Sequence, residues 1–272
     1  MKKLLGVLVI QALELRGRML EDDDWIVDES SWKTVSFLSE GRYGRVSLLR
    51  DSNSRLCAKK SSAMPLKKIL EKELRVMHLF RDHPRIVQAS NTLHLQTKPY
   101  ECYIYMEYTS EGNLHKMIYG FRQKSQPLPE SLVQRATRMI LEGLVALHSH
   151  GYVHCDLKPS NVLFFPSTTM FLGTTQYLPP ECVVESVVYE MFGATPIQEI
   201  LDKFYEWNLS QDISPEARDF LRSCSGMHPR TPTAAELLNH LFITGRLPST
   251  TTEDDKKISK SLIPSVSNLF LS

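Results

Sequence analysis

The densest group of side chains able to act on a phosphate lies in Tyr152-Val153-His154-Cys155-Asp156-Leu157-Lys158-Pro159-Ser160-Asn161-Val162-Leu163. The carboxylate of Asp156 can orient a hydroxyl or accept its proton, the ammonium of Lys158 can offset phosphate charge, and the amide of Asn161 can hold a cation. A capped turn leading into a strand from Val162 to Phe165 is the plainer reading. The spacing favours chemistry, because it is that of a multi-residue signature and not of a single residue type.

Two further sets are weaker alone. In Ser39-Glu40-Gly41-Arg42-Tyr43-Gly44-Arg45-Val46, Gly41 and Gly44 would let a strand-turn-strand lie close over phosphates with backbone N–H groups free to donate. An ordinary glycine hairpin fits the same residues. Lys60 ends the next strand, where its ammonium can neutralise phosphate charge if a carboxylate such as Glu73 holds it in place. Taken singly, both residues also fit solvated positions.

The elements that must carry these groups change in kind along the chain. Trp32 to Arg50 alternates apolar and polar residues around the two glycines and predicts two strands, with further strands at Leu56 to Lys60 and Cys102 to Tyr108. Between them Leu66, Ile69, Leu70, Leu74, Met77 and Phe80 have helical spacing. From Pro129 the apolar stripe Leu132, Val133, Ala136, Met139, Ile140, Leu144, Val145 and Leu147 predicts a long helix closing near Gly151. Ser214-Pro215-Glu216 starts another helix through Leu221, and Thr233-Ala234-Ala235-Glu236 is a capping-box pattern before Leu237-Leu238. Strands first and helices afterwards imply an α+β fold of two lobes, small and β-rich in front, larger and mainly helical behind, with a ligand cleft between them. The divisions expected are an extension over 1–31, a first lobe over 32–109, a shortened second lobe over 110–242 and a Ser/Thr-rich tail over 243–272; the seam falls near Ser110-Glu111-Gly112-Asn113.

Composition narrows the partners. Thirty-two basic against thirty-one acidic residues give no bulk field to attract nucleic acid or anionic lipid. Five cysteines, Cys57, Cys102, Cys155, Cys182 and Cys224, without a C-x-x-C pair fit reduced thiols of the cytoplasm or nucleus better than a disulfide frame or zinc site. The opening Met1-Lys2-Lys3 with Leu4 to Ile10 is similar to a short signal-peptide core, but Gln11, Glu14 and Arg16 follow without a small-residue cleavage site, and the run is too short to span a bilayer.

The loop around Asp156 resembles the catalytic loop of eukaryotic protein kinases, H-R-D-L-x-x-x-N. The other pieces then fall in that family's order. Gly41, Gly44 and Val46 resemble its glycine-rich loop, Lys60 its strand lysine, and Glu73 the helix partner of that lysine, with Glu71 two residues away. Met106-Glu107-Tyr108-Thr109 resembles the hinge: Met106 as gatekeeper, backbone atoms of Glu107 and Thr109 bonding adenine. Gly173 to Glu181 is similar to the segment that docks peptide substrate, and Pro229 to His240 to the last helix of the domain. The resemblance covers roughly Trp32 to Phe242, and His154 to Asn161 with Thr233 to His240 look most like the mitogen-activated protein kinase kinase kinases of plants.

The resemblance implies ATP and Mg2+ as cofactors, a protein substrate or partner kinase, and phosphorylation of protein Ser/Thr with Asp156 as base, Lys158 steadying phosphate, Lys60 on the α and β phosphates and Asn161 on the metal. It also exposes gaps. Eleven residues, Val162 to Leu172, separate Asn161 from Gly173, and none is acidic, so the magnesium-holding Asp-Phe-Gly is missing with its strand. After Glu181 the Asp-x-Trp-x-x-Gly helix is replaced by Cys182 to Met191, Cys155 stands where an arginine would grip an activating phosphate, and Arg230 lies one residue from the expected partner of Glu181. Weakened catalysis is therefore expected. The alternatives are a pseudokinase that binds nucleotide or partner kinases, and the product of an incomplete transcript.

Overall fold

The computed structural model describes residues 2–3, 10–11, 31–165, 213–224 and 232–245. The segments expected at Gly173 to Glu181 and Cys182 to Met191, Arg230, and the tail from Pro248 lie outside the described residues. Two short strands come first, β1 (Lys2–Lys3) and β2 (Ile10–Gln11). The front lobe is an antiparallel sheet of β3 (Lys33–Gly41), β4 (Gly44–Arg50), β5 (Leu56–Ala63), β6 (His94–Thr97) and β7 (Tyr100–Met106), in the order β3-β4-β5-β7-β6. Helix α1 (Lys67–Leu79) packs on β5 and β7.

Strand β5 runs past the expected end at Lys60 to Ala63, because its pairing with β7 continues through Ser61, Ser62 and Ala63; two further elements of this lobe differ from the sequence reading for physical reasons. Strand β7 ends at Met106 and not at Tyr108, because the Glu107 N–H leaves the ladder and donates to the Gln88 carbonyl at 3.1 Å. Strand β6 was not foreseen, since its alternation is inverted: His94 and Gln96 are half-buried while Leu95 is 55% exposed. His94 instead stacks on Tyr103, with ring centroids 5.1 Å apart.

Behind the sheet lie α2 (Leu114–Gln123), α3 (Glu130–Ser149), the two-residue strands β8 (Tyr152–Val153) and β9 (Val162–Leu163), then α4 (Pro215–Cys224), α5 (Ala234–Leu238) and α6 (Leu241–Thr244). Helix α2 begins where the sequence marks only a seam. Asn113 caps it by accepting the Lys116 N–H at 2.9 Å, and Leu114, Ile118 and Phe121 form its buried stripe.

Helix α3 is the axis of the lobe. Val133, Ala136, Ile140, Leu141, Leu144 and Leu147 are wholly buried, against α5 and α6 among others. Its polar residues tie in the later helices: Gln134 and Arg138 donate to the carbonyls of Phe242 and Ile243, and Glu130 accepts the Ser214 N–H at 3.0 Å at the start of α4. Thr233 and Glu236 close the expected capping box of α5. One apolar core runs from α1 and β7 through α2 and α3 to α5 and α6, and Arg85 bonds Glu142 of α3 at 2.6 Å. The architecture is a shortened two-lobed α+β fold.

The glycine turn between β3 and β4 is held from behind. Ser62 of β5 donates to the Tyr43 carbonyl, and Gly44, at φ +132°, brings its backbone so close to β5 that a Cβ there would stand 2.1 Å from the Ser61 carbonyl oxygen. Gly41, its partner across the turn, has nothing within 4 Å of such a Cβ. Gly44 is thus required by packing and by its dihedral, and Gly41 is not. Gly44→Ala is expected to lower unfolding free energy by at least ~2 kcal/mol, and Gly41→Ala to change it by less than ~1 kcal/mol. Urea unfolding midpoints of the two variants at unchanged slope check this; equal losses would contradict it.

Candidate functional site

Lys60 lies in mid-sheet, between Val46 of β4 and Ile104 of β7 in register. Half-buried Val46 packs on the main core. The helical spacing of α1 turns Glu73 inward beside Leu70, Leu74 and Met77. The two side chains meet with Nζ 2.6 Å from both carboxylate oxygens, Lys60 at 3% and Glu73 at 1% exposure. Glu71, the other candidate, turns outward to Lys67 at 3.3 Å. Burial pushes the Glu73 carboxyl above its ordinary pKa, and the Lys60 ammonium pulls it back only in part.

The loop from β8 to β9 gathers the second set. Wholly buried His154 accepts the Asp156 N–H on Nδ1 at 3.2 Å, and Cys155 between them takes φ +60°, a conformation few non-glycine residues adopt. The turn brings Lys158 Nζ to 3.2 and 3.1 Å from the two Asp156 oxygens. The Asn161 amide nitrogen donates to the Asp156 carbonyl at 2.7 Å and to its carboxylate at 3.1 Å. Asn161 is buried, while the side chains of Asp156 and Lys158 are 33% and 52% exposed. A fixed amide therefore aims a carboxylate that solvent or a ligand can reach.

Met106 is buried, paired with Ala58 in the sheet and bridged to Ala89. Glu107 is held at both ends by Gln88, whose N–H its carboxylate accepts at 2.9 Å. The Thr109 hydroxyl donates to the Phe164 carbonyl and accepts the Glu111 N–H at 3.1 Å. The Phe164 N–H in turn bonds the Gly112 carbonyl at 3.0 Å, and Asn113 bridges Leu163. This staple between 109–113 and the end of the Asp156 loop joins segments about fifty residues apart, which no local pattern in the sequence marks. Among the described residues no hydrogen bond joins the Lys60–Glu73 pair to the Asp156 cluster.

The family model for the protein kinase domain matches residues 32–194, more than half of the chain. The chain belongs to the protein kinase domain family. Three similar proteins of Arabidopsis thaliana are mitogen-activated protein kinase kinase kinase 3, 27% identical over 83% of this chain, mitogen-activated protein kinase kinase kinase 5, 28% over 81%, and mitogen-activated protein kinase kinase kinase YODA, 26% over 80%. The chain spans 45%, 38% and 30% of their respective lengths.

A kinase domain that uses magnesium needs oxygen donors beside the phosphates. With its nitrogen committed to Asp156, Asn161 offers its amide oxygen, and Asp156 offers a carboxylate. Among the described residues no cluster of three His, Cys, Asp or Glu could hold a metal ion, and none of residues 162–172 is acidic. Asp156 and Asn161 are the oxygen donors of the Asp156 loop that fit a cation.

The buried pair makes a measurable prediction. Lys60→Met leaves the Glu73 carboxylate without a partner and is expected to cost about 3–5 kcal/mol at pH 7, most of it recovered in Lys60→Met/Glu73→Leu. Because the folded pKa of Glu73 lies above the unfolded value of about 4.3, this group favours folding below that value, and the contribution is lost as pH rises through the folded pKa. Without the lowering pull of Lys60 the folded pKa climbs further. The stability gap between Lys60→Met and the native chain should therefore narrow from pH 8 to pH 5 in urea titrations; a gap constant with pH would refute the account.

Proposed function

We propose that this chain is a Ser/Thr protein kinase-like domain of the mitogen-activated protein kinase kinase kinase type that binds ATP between its lobes and transfers the γ-phosphoryl group slowly. The observation that supports it most is the closed Lys60–Glu73 pair, 2.6 Å at both oxygens and almost wholly buried, in the same fold as the aimed Asp156–Asn161 pair. An ammonium held so firmly in a sheet is costly, and it is useful to a ligand that is itself anionic.

In this reading Lys60 neutralises the α and β phosphates, and the hinge offers adenine the Glu107 carbonyl and the Thr109 N–H, the Glu107 N–H being committed to Gln88. Gly41, Gly44 and Val46 cover the nucleotide. Asp156 orients the acceptor hydroxyl and takes its proton, Lys158 offsets charge on the transferred group, and Asn161 would hold Mg2+, which when bound neutralises charge on the phosphates. The substrate is a protein Ser/Thr, in a partner kinase by analogy with the relatives' names, and near-zero net charge argues against nucleic acid. No helix among the described residues is long and apolar enough to cross a membrane; the cytoplasm or nucleus suits the buried thiols of Cys57 and Cys102, which form no disulfide.

The missing acidic ligand sets the rate. Metal neutralisation is a main part of phosphoryl-transfer catalysis, and losing about 4 kcal/mol of it slows the reaction about a thousandfold. The same gap favours the second reading, a pseudokinase that binds nucleotide and a partner kinase without transfer. Millimolar ATP with Mg2+ is expected to raise the Tm of the native chain, and Lys60→Met to abolish the rise. Transfer of labelled γ-phosphate should be detectable only at high enzyme and vanish in Asp156→Asn. A Tm rise with no transfer selects the pseudokinase, and no Tm rise defeats both.

A further inference from the structure

The two strands at the start of the chain pair with both flanks of the Asp156 loop. Lys2–Lys3 run parallel to Tyr152–Val153, immediately before His154, and Ile10–Gln11 run parallel to Val162–Leu163, immediately after Asn161. The order and direction are the same in both segments. Six residues on the arm, 4–9, lie between the pairings, against eight on the loop, 154–161. The backbone of β2 also runs alongside α3. One pairing thus stands at the entry of the Asp156 loop and the other at its exit.

The loop's flanks need such a companion. Strand β9 is bonded towards the hinge through the Asn113–Leu163 bridge and the Phe164–Gly112 bond, and its pairing with β2 supplies its other neighbour. An unpaired strand edge leaves backbone donors and acceptors to solvent or to any passing extended chain. The eleven residues between Asn161 and Gly173 are too few for a return strand with its loop. The pairing partners come from the other end of the sequence.

We propose that residues 2–3 and 10–11 are built-in complementing strands: they fill in cis the two edges of the Asp156 loop and so hold Asp156 and Asn161 in place. The segment 1–13 contains no carboxylate, so the arm supplies backbone pairing and an apolar sequence but no metal ligand. Its occupant is this chain's own Lys2–Lys3 and Ile10–Gln11, and the edges they fill accept short extended segments in parallel register. The proposal concerns pairing alone and does not rest on whether phosphate is transferred.

The test uses the full chain, a variant lacking residues 1–12, and Ile10→Pro, which removes a backbone N–H from the arm. The Val162 N–H already bonds the Pro159 carbonyl within the loop, so Leu163 is the reporter: hydrogen exchange on the full chain should protect the amides at 152–153 and of Leu163, and Ile10→Pro should lose that protection at Leu163 while amides of β5 and β7 keep theirs. Deletion should lower Tm by roughly 5 °C, and a synthetic peptide of residues 1–13 added in trans should restore both Tm and protection. Exchange in all three proteins that is identical at 152–153 and Leu163 overturns the proposal. So does protection that fades on dilution of the full chain, which assigns the arm to a second copy. Failure of nucleotide binding, by contrast, leaves the exchange result standing and bears only on the proposed function.

Discussion

The burial of Lys60 against Glu73 constrains more of this molecule than any other single contact. Two charges taken out of water stay favourable only while they remain within hydrogen-bond reach, because the interior offers neither of them another partner of equal strength. At 2.6 Å to both oxygens the pair leaves no slack. Strand β5 and helix α1 are therefore locked at one separation and one rotation. A helix turned by one residue would bring Lys72 or Leu74 to the place of Glu73 and leave a bare ammonium in the sheet. The apolar stripe of α1 and this ion pair agree on the same face, and that agreement makes the register unique.

The second lobe inherits its position from the first through contacts of another kind. The continuous core provides most of the burial, but apolar packing is not directional, and a few polar ties fix the angle. Arg85 to Glu142 fastens the segment after α1 to the middle of α3, and the Thr109–Phe164 and Phe164–Gly112 bonds fasten the hinge to the end of the Asp156 loop. Because Phe164 is itself almost fully buried, its backbone groups have few alternatives to these partners. Displacing the hinge therefore disturbs the strand that follows Asn161.

Much of this was legible in the residues and some of it was not. Helices whose apolar residues face inward, such as α1 and α3, declare themselves by period, and Thr233 with Glu236 declares a helix start by side-chain chemistry. Strand β6 was hidden because Leu95 points to solvent and His94 inward, which inverts the pattern that a half-buried strand normally writes. Helix α2 was legible in Asn113 and the Leu114, Ile118, Phe121 spacing, yet was taken as a seam. The choice between Glu71 and Glu73 could not be made by counting, since two residues' difference in a helix is a rotation of about 200° that only the packed face decides. The pairing of residues 2–3 and 10–11 was illegible for a deeper reason: contacts between segments some 150 residues apart leave no local periodicity.

The remaining question is how a fold can keep its loop geometry where the family's metal-bearing segment is absent. Holding a loop from the side requires only backbone N–H and C=O groups in extended form, which almost any apolar segment can supply. Presenting a carboxylate to a metal requires one side chain at one position. These two tasks need not fall to the same stretch of chain. Here the pairing is made by β1 and β2, whose neighbourhood from residue 1 to 13 has no acid, while the eleven residues after Asn161 have none either. The scaffold and the placement of acidic side chains are thereby separate: Asp156 and Asn161 are joined by hydrogen bonds at 2.7 and 3.1 Å with no carboxylate contributed by residues 1–13 or 162–172.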